Sequence, residues 1–181
     1  RFIGLETADI YLRHDGKYFE RVVGDMNDVP VRDHVFDTVF MNATLHHSSD
    51  IREVMKQVSR VLIPRGTAVV VSEPVRSMLW PHDLSACPEI ACGINEHTYT
   101  VFEYLWAAIS AGLSPRLYFP HSVLRQLDDG NPVVAQEFGR GYTYIARLWR
   151  SRLGRGLAQR LLLLPIYAIS NMPLVMIAEK I

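Results

Sequence analysis

An open α/β sheet with helical crossovers is the fold class this sequence predicts, and three observations predict it. Strand-like and helix-like segments alternate along the chain. The run "TAVVVSE" (67–73) is almost wholly apolar, as strands of a parallel sheet covered on both faces are. Four segments that read as strands end in Glu6, Asp25, Asn42 and Glu73, and sheets of this kind bind ligands beyond the carboxyl ends of their strands.

The elements follow in order. "RFIGLE" (1–6) reads as a buried strand and "TADIYLRH" as a short helical turn running to the breaker "DG". "YFERVVGD" (18–25) is a second strand and "FDTVFMN" (36–42) a third. The clearest helix comes next. Ser48, Ser49 and Asp50 offer caps, Glu53 sits three after Asp50 as in a capping box, and Ile51, Val54, Met55, Val58, Val61 and Leu62 share one face at helical spacing. "PRG" (64–66) stops that helix, and "TAVVVSE" is the fourth strand. "TVFEYLWAAISAGL" (100–113) reads as a helix with Gly112 near its end, "PRLYFP" (115–120) as a fifth strand and "PLVMIAEKI" (173–181) as a sixth. Residues 121–172 form a long, mainly helical insertion. Right-handed crossovers would join the strands.

The 181 residues suffice for one domain with a real core. Hydrophobic residues make up 49% and charged residues 21%, ordinary for a globular protein. Lys plus Arg and Asp plus Glu each total 19, so no net field draws the chain to nucleic acid. Cys87 and Cys92 make no disulfide framework, and a reducing, cytoplasmic compartment is the expectation. The chain starts at Arg1 inside a strand-like run and reads as a piece of a longer protein.

The motifs from 18 to 76 resemble the class I S-adenosylmethionine-dependent methyltransferases, in particular the small-molecule enzymes of the type 11 kind. The resemblance rests on "GDMNDVPVRDHVFDTVFMNATLHH" followed by "DIREVMKQVSRVLIPRGTAVVVSEP". In the family, Gly-Asp is followed by Leu-Pro-Phe, Phe-Asp, a strand and Leu-His-His, then Arg-Val-Leu-x-Pro-Gly-Gly. Here Val29-Pro30-Val31 stands for Leu-Pro-Phe and Pro64-Arg65-Gly66 for Pro-Gly-Gly. The resemblance implies a Rossmann-like, mostly parallel sheet and S-adenosyl-L-methionine as cofactor. The family's first strand and Gly-x-Gly loop have no counterpart in this sequence. That strand is expected between those of "FIGLE" and "FDTVFMN", so the chain is expected to be a partial domain, inactive alone. Residues 1–76 would be the cofactor side and 77–120 the substrate side, with 121–172 an insertion or lid and 173–181 the last strand.

The resemblance also implies roles. Asp25 would accept from the adenine amine and the Met26 N–H would donate to a ring nitrogen. Glu6, or less suitably Asp9, would hold the ribose diol. Asn42 and Ala43 would face the methionine part through backbone groups. Read alone, Asp25 is a turn residue, since Gly-Asp is common in loops. Asp37 reads as structural, fixing the loop before its strand. Methyl transfer asks mainly for alignment, and a base helps when the acceptor is a hydroxyl or a protonated amine. His47, Glu73 and His97 are the candidates, and His46 shares the strand end with His47. "GINEHTYT" (93–100) offers Asn95, Glu96 and Tyr99 as substrate contacts, or else a helix cap with Thr98 or Thr100 and Glu103.

The expected function is methyl transfer to a small hydroxylated metabolite, sugar or lipid-linked glycan. The alternative is a non-catalytic interaction module with the same fold. His82, Cys87, Cys92 and His97 recur every five residues, unlike the tight pairs of structural zinc, and no metal is expected. "RLWRSRLGRGLAQR" (147–160) carries five arginines and no acid, and "LLLLPIYAI" follows it. Residues 147–169 read as a lid helix over the substrate or as a peripheral contact with an anionic membrane, too short and Pro-interrupted to span one.

Overall fold

The computed structural model describes residues 3–6, 20–79, 90, 96–121, 147, 151, 154 and 161–181. The turn expected at 7–14, with Asp9, lies outside the described residues. So do His82, Cys87, Cys92, Asn95 and most of 121–160.

Among the described residues the elements run β1 (Ile3–Glu6), β2 (Glu20–Val23), β3 (Phe36–Asn42), a 3-10 turn (Leu45–His47), α1 (Ile51–Val61), β4 (Leu62–Glu73), α2 (Val101–Ser110), β5 (Leu113–Leu117), α3 (Leu163–Ile169) and β6 (Leu174–Lys180). β1 and β2 form a parallel pair, and the other strands form a sheet in the order β3-β4-β6-β5. The strand alternation expected from the sequence is present, but the sheet is not purely parallel. β3 and β4 run parallel, whereas β6 is antiparallel to both β4 and β5. No ladder joins β1 to β3 among the described residues.

Local signals account for most boundaries. The Asp50 carboxylate caps α1 by accepting from the Arg52 N–H at 3.0 Å. Glu53 does not close the expected capping box; it pairs with Lys56 at 2.9 Å instead. Ile51, Val54, Met55, Val58 and Val61 are buried, so the helical stripe faces the core as expected. Lys180 Nζ donates to the Ser59 and Leu62 carbonyls (2.6 and 2.8 Å), satisfying the last turn of α1 with a cation. At α2 the full box forms: Thr100 Oγ1 accepts from the Glu103 N–H and Glu103 Oε2 accepts from the Thr100 N–H. Gly112 follows α2 at φ 77, the left-handed turn that glycine adopts without penalty.

Three segments differ from expectation. Pro64-Arg65-Gly66 does not simply separate helix from strand. The ladder pairs Phe36 with Leu62 and resumes at Thr38 with Thr67, so the segment bulges out opposite Asp37, with Arg65 at φ 65. A Cβ on Gly66 would sit 2.9 Å from the Ile63 carbonyl oxygen and 3.2 Å from that of Asp37, which leaves room for glycine only. β5 begins at Leu113 rather than Pro115, because the turn at Gly112 delivers the chain straight onto β6, Leu113 opposite Lys180. Pro165 does not interrupt α3. It is the third residue of α3, and the helix runs on to Ile169.

α3 is not a free lid over this range. Leu163, Ile166, Tyr167 and Ala168 are buried in the same core as α1, α2 and the sheet. No helix among the described residues is long and apolar enough to cross a membrane.

Candidate functional site

The β1–β2 pairing puts Glu6 opposite Val23, and the Gly24 N–H donates to the Glu6 carbonyl at 2.9 Å. Glu6 and Asp25 therefore sit on neighbouring strand ends, both exposed. Gly24 is required by packing: a Cβ there would meet Pro30 Cδ at 2.7 Å and Leu5 Cδ1 at 3.0 Å. Arg60 of α1 reaches across to hold the following loop, donating to the Val29 and Val31 carbonyls (2.7 and 2.8 Å) and to Asp33 (2.7 Å).

Asp25 is both a turn residue and a strand-end acceptor. Its Oδ1 accepts from the backbone and side-chain N–H groups of Asn27, each at 2.8 Å. Those backbone and side-chain hydrogen bonds hold its carboxyl below the usual aspartate range. Met26 packs its side chain against the core. Asn27 Oδ1 accepts from Ser48 Oγ at 3.1 Å, and the Ser48 carbonyl accepts from the Tyr99 hydroxyl. A polar chain thus links the loop after β2 to the segment before α2. Asn27 is a linking residue that the sequence alone does not single out, and Ser48, read there as a possible cap, is the other.

At the end of β3, Asn42 and Ala43 are exposed, and Ala43 takes φ 48. The Ala43 N–H donates to the Val71 carbonyl at 3.0 Å and the Asn42 carbonyl accepts from Thr44 Oγ1 at 2.9 Å. The Ala43 N–H and the Asn42 carbonyl are thus both engaged within the protein.

Glu73, offered by the sequence as a base, is fully buried (0% exposed) and occupied. Its Oε1 accepts from the Thr44 and Leu45 N–H groups (2.6 and 2.9 Å), and its Oε2 from the His46 N–H at 3.2 Å. Its Oε2 is also hydrogen-bonded to His46 Nδ1 at 2.9 Å. The start of the 3-10 turn forms a nest of N–H groups around one carboxylate, and that carboxylate orients His46. Glu73 is placed to position a neighbour rather than to meet an acceptor.

His46 is the residue that sequence reasoning undervalued. Its Nε2 lies 3.7 Å from Glu96 Oε2, while His47 Nδ1 lies 3.2 Å from Glu96 Oε1. The two imidazoles are 4.0 Å apart by ring centroid. The His97 N–H donates to the His46 carbonyl at 2.8 Å, bringing Glu96 and His97 onto the strand ends. Tyr99 is less available as a substrate contact, since its hydroxyl is engaged by Ser48. The signals in the sequence were the His-His pair and the acid ending β4. The sequence offered Glu96 as a substrate contact, and only the fold brings it against these histidines.

Burial opposes a charge on His46, but its hydrogen bond to Glu73 and the charges of Glu73 and Glu96 outweigh that and raise its pKa above the ordinary histidine value. A raised folded-state pKa stabilises the protein fully below the unfolded value of about 6.5, and that contribution is lost as pH rises through the folded value. Thermal melts of the protein and of His46→Gln, in buffer with chelator so that only protons compete for the ring, should therefore converge with rising pH. A gap that stays constant or widens across that range would remove this linkage.

An open cleft of about 340 Å³ lies nearby, lined by Ser49, Asp50, Ile51, Arg52, Tyr99, Glu103 and Trp106. It touches this constellation only through Tyr99 and contains none of the strand-end groups. The convergent polar groups, not the cleft, mark the site.

Residues 4–70 match the family described as a methyltransferase domain. A curated relative, the glycine/sarcosine/dimethylglycine N-methyltransferase of Actinopolyspora halophila, is 39% identical over 54 residues, which is 30% of this chain. The matched stretch spans only 9% of that relative's length. A solved structure from Galdieria sulphuraria, assigned as a sarcosine dimethylglycine methyltransferase, has a TM-score of 0.60 at 18% identity, covering 98% of this chain and 68% of that one. An S-adenosylmethionine dependent methyltransferase from Mesorhizobium loti has a TM-score of 0.60 at 17% identity, with coverage of 98% and 79%. At these identities the structural likeness shows the fold.

Proposed function

We propose, from the premise that residues 4–70 carry the methyltransferase domain and that the fold is that of class I S-adenosylmethionine-dependent methyltransferases, that this protein serves methyl transfer from S-adenosyl-L-methionine to a small molecule. The observation that carries the reading is the pair of exposed carboxylates, Glu6 and Asp25, on adjacent parallel strand ends of that fold. Asp25 takes the adenine amine, with the Met26 N–H beside it. Glu6 takes the ribose diol, and the Asn42–Ala43 corner faces the methionine part. When bound, the cofactor supplies an electrophilic methyl on a sulfonium, so the chain's task is mostly alignment.

The acceptor atom in this proposal carries a proton, as a hydroxylated metabolite, a sugar or glycan hydroxyl, or an ammonium group does. His46, His47, Glu96 and His97 converge at the ends of β3 and β4 and supply the polar wall against which such an acceptor would be held. The relative named for glycine, sarcosine and dimethylglycine acts on nitrogen, which keeps an amine acceptor within this reading.

Calorimetric titration with S-adenosylhomocysteine tests the cofactor side. Asp25→Ala should weaken binding by about 1.5–3 kcal/mol, the scale for a hydrogen bond to a charged group. Affinity equal to that of the unaltered protein would take Asp25 out of the site.

A further inference from the structure

His46, His47 and Glu96 offer one ligand atom each, and the three atoms lie within 4.8 Å of one another. Divalent transition metals are held by such sets: two imidazoles and one carboxylate leave further coordination positions open. Around a metal with bonds of about 2.0–2.2 Å, neighbouring donors stand roughly 3–3.5 Å apart. His47 Nδ1 lies 3.2 Å from Glu96 Oε1 and His46 Nε2 lies 3.7 Å from Glu96 Oε2, so both imidazoles face the one carboxylate.

The surroundings are built for the same purpose. Glu73 is hydrogen-bonded to His46 Nδ1, which turns Nε2 toward Glu96. A buried carboxylate behind a ligating histidine is the usual device for fixing ring orientation and raising ligand basicity. Three backbone N–H groups in turn hold Glu73. The His97 N–H to His46 carbonyl bond clips the Glu96 segment to the 3-10 turn, so that ligands from two distant parts of the chain meet. Simple ion pairing of imidazolium with carboxylate needs no such second layer.

We propose that His46, His47 and Glu96 bind one divalent transition-metal ion of the iron-to-zinc group, with Glu73 positioning His46 from behind. The remaining positions on the ion would take oxygen donors, water or an acceptor oxygen, at the mouth of the strand-end crevice. Metal binding here is independent of the methyltransferase reading and is tested without cofactor.

The metal-free chain is titrated with Zn²⁺ by calorimetry and with Co²⁺ by visible absorption. One ion per chain is expected, with Co²⁺ bands of the intensity given by a low-coordinate nitrogen–oxygen site. Glu96→Gln and His47→Asn, both at partly exposed side chains, should lose most of the affinity while melting cooperatively. Glu73→Gln should weaken binding about 10–100-fold, the range for a lost outer-shell partner. Cys92→Ser should bind as the unaltered chain does. Absence of saturable binding, binding unchanged in Glu96→Gln, or loss confined to Cys92→Ser would each overturn the site and leave His46, His47 and Glu96 as an ion-paired cluster.

Discussion

Glu73→Ala is expected to cost about 3–5 kcal/mol of unfolding free energy, the scale for removing one partner from a buried charged network. The side chain is 0% exposed and satisfies the N–H groups of Thr44, Leu45 and His46 together with the His46 ring. Alanine would leave those donors facing an apolar void, each unsatisfied donor costing about 1–3 kcal/mol before any relaxation. The loss would not be local. The 3-10 turn carries Leu45 into the core and delivers Ser48 to Asn27 and Tyr99, so the loop after β2 and the segment before α2 are both tied to this turn. Glu73→Gln should recover part of the stability, because an amide oxygen still accepts two of the N–H bonds. Urea unfolding of the three proteins measures it. A loss below about 1 kcal/mol for the alanine variant would mean that water replaces the carboxylate, and the turn would not depend on it.

The second large effect is expected at Tyr167 on α3. Its ring is 0% exposed, and its hydroxyl donates to the Tyr118 carbonyl at 2.7 Å while accepting from the Val175 N–H at 3.0 Å. One side chain thus ties α3 to the end of β5 and the start of β6. Burial pushes the hydroxyl well above the ordinary tyrosine range, so it remains a donor at any working pH. Tyr167→Ala should cost about 3–5 kcal/mol, as for other large aromatic truncations in cores. Tyr167→Phe should cost about 1–3 kcal/mol through the unsatisfied Val175 N–H and Tyr118 carbonyl. Equal denaturation midpoints for the protein and Tyr167→Phe would show that the ring alone, without its hydroxyl, docks the helix. A small loss for Tyr167→Ala would return residues 163–169 to the role of a loosely attached lid.

Helix α1 was legible because its determinants are local: an aspartate cap and apolar residues three and four apart. Strand β3 was legible to the residue for a similar reason, since "FDTVFMN" is flanked by a turn on one side and a helix cap on the other. The Thr100–Glu103 box and the left-handed Gly112 likewise depend on neighbours in sequence. The strand-end positions of Glu6, Asp25 and Asn42 followed from the same alternation, because the end of a parallel strand is where a side chain meets the ligand crevice. Their placement is local even though their proposed use is not.

Tertiary structure alone decided the rest. Gly66 is glycine because the carbonyls of Ile63 and Asp37 approach it, and Asp37 belongs to another strand. The antiparallel course of β6 between β4 and β5 depends on pairing with strands far from it in sequence. The same holds for the site's central feature. Glu73 reads as a polar strand end and Glu96 as a turn residue, yet the fold buries the first behind His46 and brings the second to its open face. Sequence pattern determined which residues stand at strand ends. Long-range packing decided which of them face each other, because charge, burial and hydrogen bonding at a site are set by neighbours that local propensity does not specify.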